Sequence, residues 1–375
     1  MGKMIYKNDL RADMPGRFFY RGSKMKLYNL GKVPWLDSQL IYHALAHMGQ
    51  EALSLVSPAE PYVCIGFHQD AEQEVDMAFC RQNHIPVFRR DLGGGAVYLD
   101  GGQLFFHLIL HRDNPNIPKG KTTFYKKFLQ PIIHVHHALG IPVKYKPVND
   151  LIVGNRKISG TGAAEIGECI VFVGNLIVDF NYEMMSRVLK VPDEKFRDKV
   201  HQTLKENLTT IQRELGEEKA RQWDEKRLND LMADEFQKLL GPMQPAVRDA
   251  VLQAKMDECQ AILLNDDWLY QKGKTRTYGR DIKIRAGVDM LHRMHKAPGG
   301  LIRAEYAVVN GCFEGLHFSG DYFCFPNNVV ERLEAYLNGQ AVADADKLVT
   351  SFYTQDAFEI PGVEVEDWLK VLAVK

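Results

Sequence analysis

Residues Val87–Leu110 read VFRRDLGGGAVYLDGGQLFFHLIL and combine two arginines, a run of glycines and an apolar segment. Arg89 and Arg90 precede three consecutive glycines, Gly93 to Gly95, and an apolar segment follows. Glycine adopts backbone angles closed to other residues and lets peptide N–H groups approach a bulky anion. The planar, charged guanidinium group of arginine can donate two parallel hydrogen bonds to a phosphate or a carboxylate. The stretch therefore predicts an anion site, although the three glycines alone are explained more simply by a hairpin loop beside solvated arginines.

The residues after the glycines predict where such a site would be built. Ala96–Leu99 has the composition of a strand, residues 100–102 that of a turn, and Gln103–Leu110 that of a second strand. No Gly-Lys-Ser/Thr follows the glycines, which excludes a Walker loop, and a strand in place of a helix excludes a Rossmann fingerprint. A phosphate site here must be made from sheet edges and loops.

A second motif, VNDLIVGNRKISGTG, covers Val148–Gly162. Leu151–Val153 predicts a strand, Gly154-Asn155 a tight turn, and Lys157 the start of the return strand. A hairpin holds a lysine on rigid backbone, as a catalytic charge requires, although a lone hairpin lysine is usually a plain surface residue. The lysine is singled out here by the small and polar residues around it: Asn149, Asp150, Ser159, Gly160, Thr161 and Gly162.

Composition limits the classes of protein. The 375 residues are 45% apolar and 25% charged, and 47 basic against 48 acidic residues give a net charge of -1. This balance predicts neither a nucleic-acid surface nor a membrane-binding patch. Six scattered cysteines without a C-x-x-C pair predict a reduced, cytoplasmic protein, and we expect no signal peptide and no membrane span.

Outside the motifs, apolar periodicity predicts an α+β protein. The predicted helices cover residues 35–48, 72–83, 122–139 with a bend or restart at Pro131, 182–189, 224–240, 247–265 and 328–337. The predicted strands cover residues 61–70, a strand pair over 169–180, 277–284, 302–309 and an extended segment over 315–325. The charged, weakly periodic residues 191–211 predict a mobile loop leading into a helix. A linker at 241–245 predicts two domains, 1–243 and 244–375.

The histidines at helical spacing are weak candidates for metal ligands. His43 and His47 lie four residues apart, but no third ligand with suitable spacing accompanies them. His134, His136 and His137 are predicted to be half-buried residues of their helix. No metal ligands are assigned from the sequence.

The two motifs, in this order, resemble those of the lipoate-protein ligase family, within the biotin and lipoate A/B protein ligase superfamily. The family's signatures are Arg-Arg-x-Ser-Gly-Gly-Gly-Ala-Val-(Tyr/Phe)-His-Asp and Asn-Asp-(Ile/Leu), a turn, then Lys-(Ile/Val)-Ser-Gly-(Ser/Thr)-Ala. The matching residues are Arg89, Arg90, Gly93, Gly94, Gly95, Ala96, Val97, Tyr98 and Asp100, then Asn149, Asp150, Leu151, Lys157, Ile158, Ser159, Gly160 and Thr161. A fainter likeness to the family's C-terminal accessory domain lies in Trp268, Gly273, Thr275, Gly320, Asp321 and Phe323.

The chain departs from the family pattern at four positions. Leu92 stands where the family has serine, Leu99 where it has histidine, Gly162 where it has alanine, and Val173 where a histidine is common. Several of these are expected near the pocket, so they bear on substrate preference.

The resemblance implies a fold and an activity. The fold is a large N-terminal domain of mixed and antiparallel sheets flanked by helices, like class II aminoacyl-tRNA synthetases and biotin ligases, plus a small α+β C-terminal domain. The activity is ATP-dependent conversion of lipoate or octanoate to an acyl adenylate, then transfer to a lysine of a lipoyl-domain protein. Such acceptors include the acyltransferase subunit of 2-oxoacid dehydrogenases and the glycine cleavage H protein.

The resemblance also implies roles for single residues. Lys157 would be catalytic, Mg²⁺ would shield the departing pyrophosphate, and the segment from Val191 to Leu208 would cover the adenylate. A tunnel including Ile65, Gly66 and Val97 would bury the lipoyl tail. The residues implied to hold ATP and the adenylate are Arg90, Gly94, Gly95, Ala96, Val97, Tyr98, Asn149, Asp150, Lys157, Ser159 and Gly160.

Two other functions remain open from the sequence. An octanoyl or lipoyl transferase on the same fold acts through a cysteine thioester, but the segment Val143–Val148, where that cysteine is expected, has none; Cys64 and Cys169 are possible substitutes. A non-catalytic lipoyl-binding homologue is the second, and the presence of Lys157 argues against it. A biotin ligase is disfavoured because its Gly-Arg-Gly-Arg loop is missing.

Overall fold

The structure, a computed structural model, describes residues 24–273, 282–285, 288–355 and 358–372. Within these ranges, no helix has both the length and the apolar composition needed to cross a bilayer. The strands are β1 (Lys26–Val33), β2 (Ala52–Pro58), β3 (Tyr62–Ile65), β4 (Val87–Arg89), β5 (Val97–Leu99), β6 (Gln103–His111), β7 (Lys144–Lys146), β8 (Asp150–Val153), β9 (Arg156–Ile166), β10 (Cys169–Ile177), β11 (Gln244–Pro245), β12 (Ile282–Arg285), β13 (Val288–Ala297), β14 (Gly300–Val309) and β15 (Cys312–Gly320). The helices are α1 (Asp37–His47), α2 (Ala71–Glu74), α3 (Met77–Gln82), α4 (Lys121–Phe128), α5 (Gln130–Ala138), α6 (Tyr182–Val188), α7 (Glu194–Asn207), α8 (Ile211–Leu215), α9 (Glu217–Ala220), α10 (Glu225–Leu240), α11 (Ala250–Leu263), α12 (Asp266–Leu269), α13 (Val329–Leu337), α14 (Ala345–Gln355) and α15 (Val365–Leu372).

Three sheets organise the described chain. The largest has eight strands in the order β11-β1-β2-β6-β10-β9-β8-β7, and it is mixed because β1 runs parallel to both of its neighbours. A three-stranded sheet, β4-β3-β5, carries the glycine loop between β4 and β5. The third sheet, β12-β13-β14-β15, belongs to the C-terminal part. The predicted α+β class, with a large mixed sheet and a small C-terminal sheet, is confirmed.

Strand β6 shows how the sequence builds the core of the large sheet. Successive side chains of a strand point to opposite faces, so a strand between two helical layers must be apolar on both. Leu104, Phe106 and Leu108 lie in the cluster formed with α4, α5 and α10, whereas Phe105 and Ile109 lie in the cluster formed with α1. This double burial explains why β6 is apolar on both faces, with the buried Gln103 and His107 as its polar exceptions before His111.

Helix α11 follows the predicted domain boundary but packs against α1. It contributes Leu252, Met256, Cys259 and Leu263 to the cluster that also holds the buried face of α1. The C-terminal sheet and helices α13 to α15 enclose a cluster of their own. The boundary between residues 243 and 244 stays a prediction.

Most predicted elements have counterparts, and two predictions are wrong. The strand over 103–110 and the hairpin turning at Gly154 are confirmed as β6 and as β8–β9. The loop predicted over 191–211 is largely helix α7, which Asp193 caps; α7 has no buried residue, and this explains its weak periodicity. The strand pair predicted over 169–180 is the single strand β10. The strand predicted over 277–284 lies partly outside the described residues, as does Thr275.

Candidate active site

The glycine loop between β4 and β5 is shaped by close contacts between backbone segments. A β-carbon at Gly66 would lie 1.9 Å from the carbonyl oxygen of Gly94, and one at Gly93 would lie 2.4 Å from that of Tyr322. Gly94 itself has a φ of 92°. Side chains at these positions would separate the loop from its neighbours, so glycine is required for the observed conformation.

Arg90 holds the loop in this conformation. Its Nη2 donates to the carbonyl oxygens of Gly93 at 2.8 Å and Gly95 at 3.0 Å, and its Nη1 donates to that of Cys64 at 3.3 Å. The guanidinium therefore lies inside the glycine loop, where the sequence predicts an anion. Ala96 and Val97, which end the loop, are half-buried, and Tyr98 is buried.

Arg89 has a different environment from Arg90. Its side chain is fully buried and donates to the carbonyl oxygens of Gly66, Phe67 and Leu269 at 3.0, 2.8 and 2.6 Å. Burial lowers the pKa of its guanidinium to about 10. The indole of Trp268 donates back to the carbonyl oxygen of Arg89 at 2.9 Å. Arg89 thus joins β4 to α12, and the sequence prediction that both arginines flank the anion gap is wrong for Arg89.

Lys157 lies on the return strand of the predicted hairpin. Its Nζ is 2.7 Å from Oδ1 of Asp150, and its side chain is 37% exposed, so an incoming anion can reach it. A β-carbon at Gly160 would lie 3.0 Å from the same Nζ, so this glycine leaves room for the lysine to fold back along its own strand. The backbone N–H of Thr209, just after α7, donates to the carbonyl oxygen of Lys157 at 2.8 Å.

The other residues of the second motif support the hairpin. The side chain of Asn149 donates to the carbonyl oxygen of Thr161, whose hydroxyl donates to the carbonyl oxygen of Asn149 at 2.6 Å. Ser159 is buried, and its hydroxyl donates to the carbonyl oxygen of Asn175 at 2.6 Å. These bonds fix the strand that carries Lys157.

The residues predicted to line the lipoyl tunnel are divided between two faces of the small sheet. Val97 pairs with Cys64, and both contact the cluster beneath α1. Ile65, the next residue of β3, is fully buried in the opposite cluster with Tyr98. Val97 and Ile65 therefore do not line one space. Gly66 lies at the end of β3 against Gly94.

Phe323 of the C-terminal part lies between the two motifs. A β-carbon at Gly94 would lie 3.0 Å from its Cζ, and one at Gly162 would lie 3.1 Å from its Cε1 and 3.5 Å from Cδ2 of Leu92. Leu92 and Gly162, two of the four departures from the family pattern, therefore lie next to each other, and Gly162 also lies against the phenyl ring. From the sequence, Phe323 shows only a faint likeness to the accessory domain.

A polar pair, the buried His43 and the half-buried Asp91, lies next to the glycine loop. Nε2 of His43 is 3.6 Å from Oδ2 of Asp91, while Nδ1 of His43 lies 2.7 Å from the carbonyl oxygen of Gln39. Burial raises the pKa of the Asp91 carboxyl to about 7 and lowers that of His43 to about 3.

Among the described residues there is no group of three or more His, Cys, Asp or Glu side chains that could hold a metal ion.

An open cleft of about 450 Å³ lies beyond the glycine loop. The turn residues Asp100 and Gly102 line one side, and His201 and Lys205 of α7 line another. The segment predicted to be a mobile loop therefore presents a helix to this cleft.

Comparisons with known proteins identify the family. A sequence model of the family described as the lipoyl protein ligase A/B catalytic domain matches residues 35–240, more than half of the chain. A Thermoplasma acidophilum protein named lipoate-protein ligase A subunit 1 is 32% identical over 159 residues, which are 40% of this chain and 59% of that protein. A Staphylococcus aureus protein named lipoate-protein ligase 1 is 25% identical over 300 residues, which are 77% of this chain and 82% of that protein.

Two solved structures share the fold. P. falciparum LipL1 in complex with lipoate matches with a TM-score of 0.65 and 15% identity, over 90% of this chain and 95% of that one. A lipoate-protein ligase A bound with ATP matches with a TM-score of 0.56 and 20% identity, over 66% of this chain and 99% of that one. The chain therefore belongs to the lipoyl protein ligase A/B catalytic domain family and is an enzyme of the ligase type.

Proposed function

We propose that the protein is an ATP-dependent lipoate-protein ligase that forms an acyl adenylate from lipoate or octanoate and transfers the acyl group to a lysine of a lipoyl-domain protein. One observation carries the proposal. A single phenyl ring, that of Phe323, contacts the positions of both Gly94 in the glycine loop and Gly162 just beyond the Lys157 hairpin. The two motifs are therefore close enough for one bound ligand to contact both.

The chemistry accounts for the need for two motifs. A carboxylic acid and an amine at neutral pH exchange a proton instead of forming an amide, so the acid must first be activated. A carboxylate oxygen attacks the α-phosphorus of ATP and pyrophosphate leaves; the acceptor lysine then attacks the acyl carbon and AMP leaves. Both reactants of the first step are anions, so catalysis is mostly positioning and charge neutralisation.

Lys157 is the residue proposed to neutralise this charge. Its ammonium group is paired with Asp150 at 2.7 Å and is partly exposed, so it can turn from one carboxylate to an incoming anion. It would lie between the acyl carboxylate and the α-phosphate and would later hold the adenylate. Asn149 and Ser159 would act by fixing the hairpin.

The glycine loop is proposed to bind the phosphates. Arg90 supplies the fixed positive charge, and the backbone from Gly94 to Tyr98 supplies the edge along which the nucleotide would lie. Mg²⁺ usually binds through one or two carboxylates together with substrate phosphates. Since the described residues form no cluster of metal ligands, a magnesium ion would be held mainly by the nucleotide.

The acyl tail is proposed to lie against Val97, on the face that packs toward α1. Burial of each methylene there would contribute about 0.8 kcal/mol. Leu92 and Leu99 lie in the same apolar cluster. The acceptor is proposed to be a lipoyl domain of a 2-oxoacid dehydrogenase acyltransferase subunit, a glycine cleavage H protein or a similar carrier.

The cysteines favour a ligase over a thioester-forming transferase. A transferase needs a reactive thiolate near the lysine. Burial raises the pKa of Cys64 even though Arg90 lies beside it, and burial raises that of Cys169 to about 12. Neither thiol has the environment of a nucleophile.

Lipoate-dependent exchange of labelled pyrophosphate into ATP tests the proposal. The protein is expected to catalyse exchange, and Lys157→Ala is expected to lower the rate on the order of a hundredfold or more. Lys144→Ala, at an exposed lysine on β7, serves as the control and is expected to keep the rate. Unchanged exchange in Lys157→Ala would contradict the proposal. No exchange, with octanoyl transfer from a thioester donor, would favour the transferase; neither activity would favour the non-catalytic binder.

A further inference from the structure

Two side-chain amides connect the motifs of the proposed active site. The backbone N–H of Gly160 donates to Oδ1 of Asn175 at 3.1 Å. Nδ2 of Asn175 donates to Oε1 of Gln103 at 2.9 Å, and Nε2 of Gln103 donates to the carbonyl oxygen of Tyr98 at 3.2 Å. The series of hydrogen bonds begins on the strand of Lys157 and ends at Tyr98 of β5, just after the glycine loop.

The direction of this chain is fixed at both ends. A peptide N–H can only donate and a carbonyl oxygen can only accept. Asn175 must therefore turn its oxygen toward Gly160 and its nitrogen toward Gln103. Gln103 must then turn its oxygen toward Asn175 and its nitrogen toward Tyr98. If either amide is turned over, two donors or two acceptors face each other. Only one orientation of the two amides therefore forms all three hydrogen bonds.

The positions of the amides explain why they are needed. Backbone pairing between β9 and β10 extends to Thr161 and Gly174, and Asn175 is the next residue of β10. From there the hydroxyl of Ser159 and the side chain of Asn175 replace the backbone ladder. On the other side, β10 pairs Asn175 with Phe105 of β6, so Gln103 is its diagonal neighbour on the same face.

We propose that Asn175 and Gln103 are positioning residues that set the distance between the Lys157 hairpin and the end of the glycine loop during acyl-adenylate formation. The inference rests on the proposed function and adds two residues to it. Lys157 Nζ is partly exposed and lies beside Gly160, so its location depends on how firmly the backbone at Gly160 is held. Gln103 is 1% exposed, and a buried amide with both ends bonded allows little movement.

Isosteric acids test the proposal by removing donors without changing shape. In Asn175→Asp the ionised carboxylate still accepts from Gly160 but cannot donate to Gln103. In Gln103→Glu the carboxylate still accepts from Asn175 but cannot donate to the carbonyl oxygen of Tyr98. Each variant is expected to lower kcat of lipoate-dependent exchange by about tenfold to a hundredfold, with KM for lipoate changed less than about threefold, because misplacement of a catalytic group affects the reaction step.

The pH dependence of kcat gives a second readout, which is compared with the thermal midpoint of each protein at the same pH. When the introduced carboxyl group of Asn175→Asp is protonated, it again carries a donor that faces Gln103. The ratio of the variant's kcat to that of the wild type is therefore expected to rise as the pH is lowered. Asn83→Asp, at the exposed end of α3, loses one donor to the carbonyl oxygen of Phe79 and is the matched control; its ratio is expected to stay near one at every pH.

The outcomes separate this inference from the proposed function. Reduced kcat in both variants, at thermal midpoints within a few degrees of the wild type, supports the inference. Wild-type kcat in both folded variants, or a loss of kcat explained entirely by a lower thermal midpoint, overturns it and leaves the proposed function standing. Absence of exchange in the wild-type protein overturns the proposed function and this inference with it.

Discussion

Replacing Arg89 by alanine is predicted to destabilise the protein strongly, although Arg89 lies next to a residue of the proposed site. Its buried guanidinium donates to the carbonyl oxygens of Gly66, Phe67, Trp268 and Leu269. A buried acceptor left without its donor costs about 1–3 kcal/mol. Only the bond to Gly66 is fully buried, and water can reach the other acceptors in part. We therefore expect Arg89→Ala to lower the free energy of unfolding by about 3–5 kcal/mol.

Urea denaturation at pH 7, followed by circular dichroism, measures this loss. Arg89→Lys keeps the charge but has a compact ammonium that cannot span four carbonyl groups, so an intermediate loss of about 1–3 kcal/mol is expected. Arg81→Ala, at an exposed arginine of α3, is the matched control and is expected to stay within about 0.5 kcal/mol of the wild type. A free energy of unfolding for Arg89→Ala equal to that of the control would refute the view that Arg89 ties β4 to α12.

Three further predictions concern the glycine loop and the domain boundary. The pKa of the Asp91 carboxyl in the folded protein, about 7, lies above the ordinary value of 3.8, so the wild type loses stability as the pH rises through that interval. Urea titrations at pH 4 and pH 8 should show that Asp91→Asn lacks this loss and is more stable than the wild type at pH 8 by up to about 4 kcal/mol. The same pH dependence in both proteins would contradict a raised pKa for Asp91. Gly94→Ala places a methyl group at a φ of 92° and 3.0 Å from Nη2 of Arg90, and is expected to lower pyrophosphate exchange by about tenfold or more; wild-type exchange would show that the loop tolerates a side chain. A fragment of residues 1–273 is expected to melt at least about 5 °C above a fragment of residues 1–243, because α11 covers the apolar face of α1; equal midpoints would favour the boundary at residue 243 as a true domain edge.

The fold was predictable where the local pattern and the environment agree. Strand β6 is mostly apolar because it is buried on both faces, and the hairpin of β8 and β9 has a turn dipeptide, Gly154-Asn155. Helix α7 was missed because it is strongly polar and buries none of its residues fully, so half-buried positions such as Leu204 give only a weak pattern. Strand β2 was missed because buried serines, Ser54 and Ser57, interrupt its apolar pattern.

The sequence motifs of the site were predictable, but the contacts between residues far apart in the sequence were not. Arg90 and Lys157 stand in recognisable local patterns, whereas Asn175 and Phe323 act through contacts with residues far away in the sequence. The two arginines show the limit clearly. Nothing in the order Arg89-Arg90 indicates that one is buried against α12 and the other lies in the loop.

Detection of the acyl adenylate is the direct test of the roles proposed for Lys157 and the glycine loop. The protein is incubated with ATP, Mg²⁺ and lipoate without an acceptor, and native mass spectrometry records what stays bound. If Lys157 and the glycine loop hold one acyl adenylate, the wild type gains the mass of lipoyl-AMP and Lys157→Ala does not. A wild-type protein that retains ATP and lipoate unreacted, or a Lys157→Ala variant that accumulates the adenylate equally, would contradict these roles.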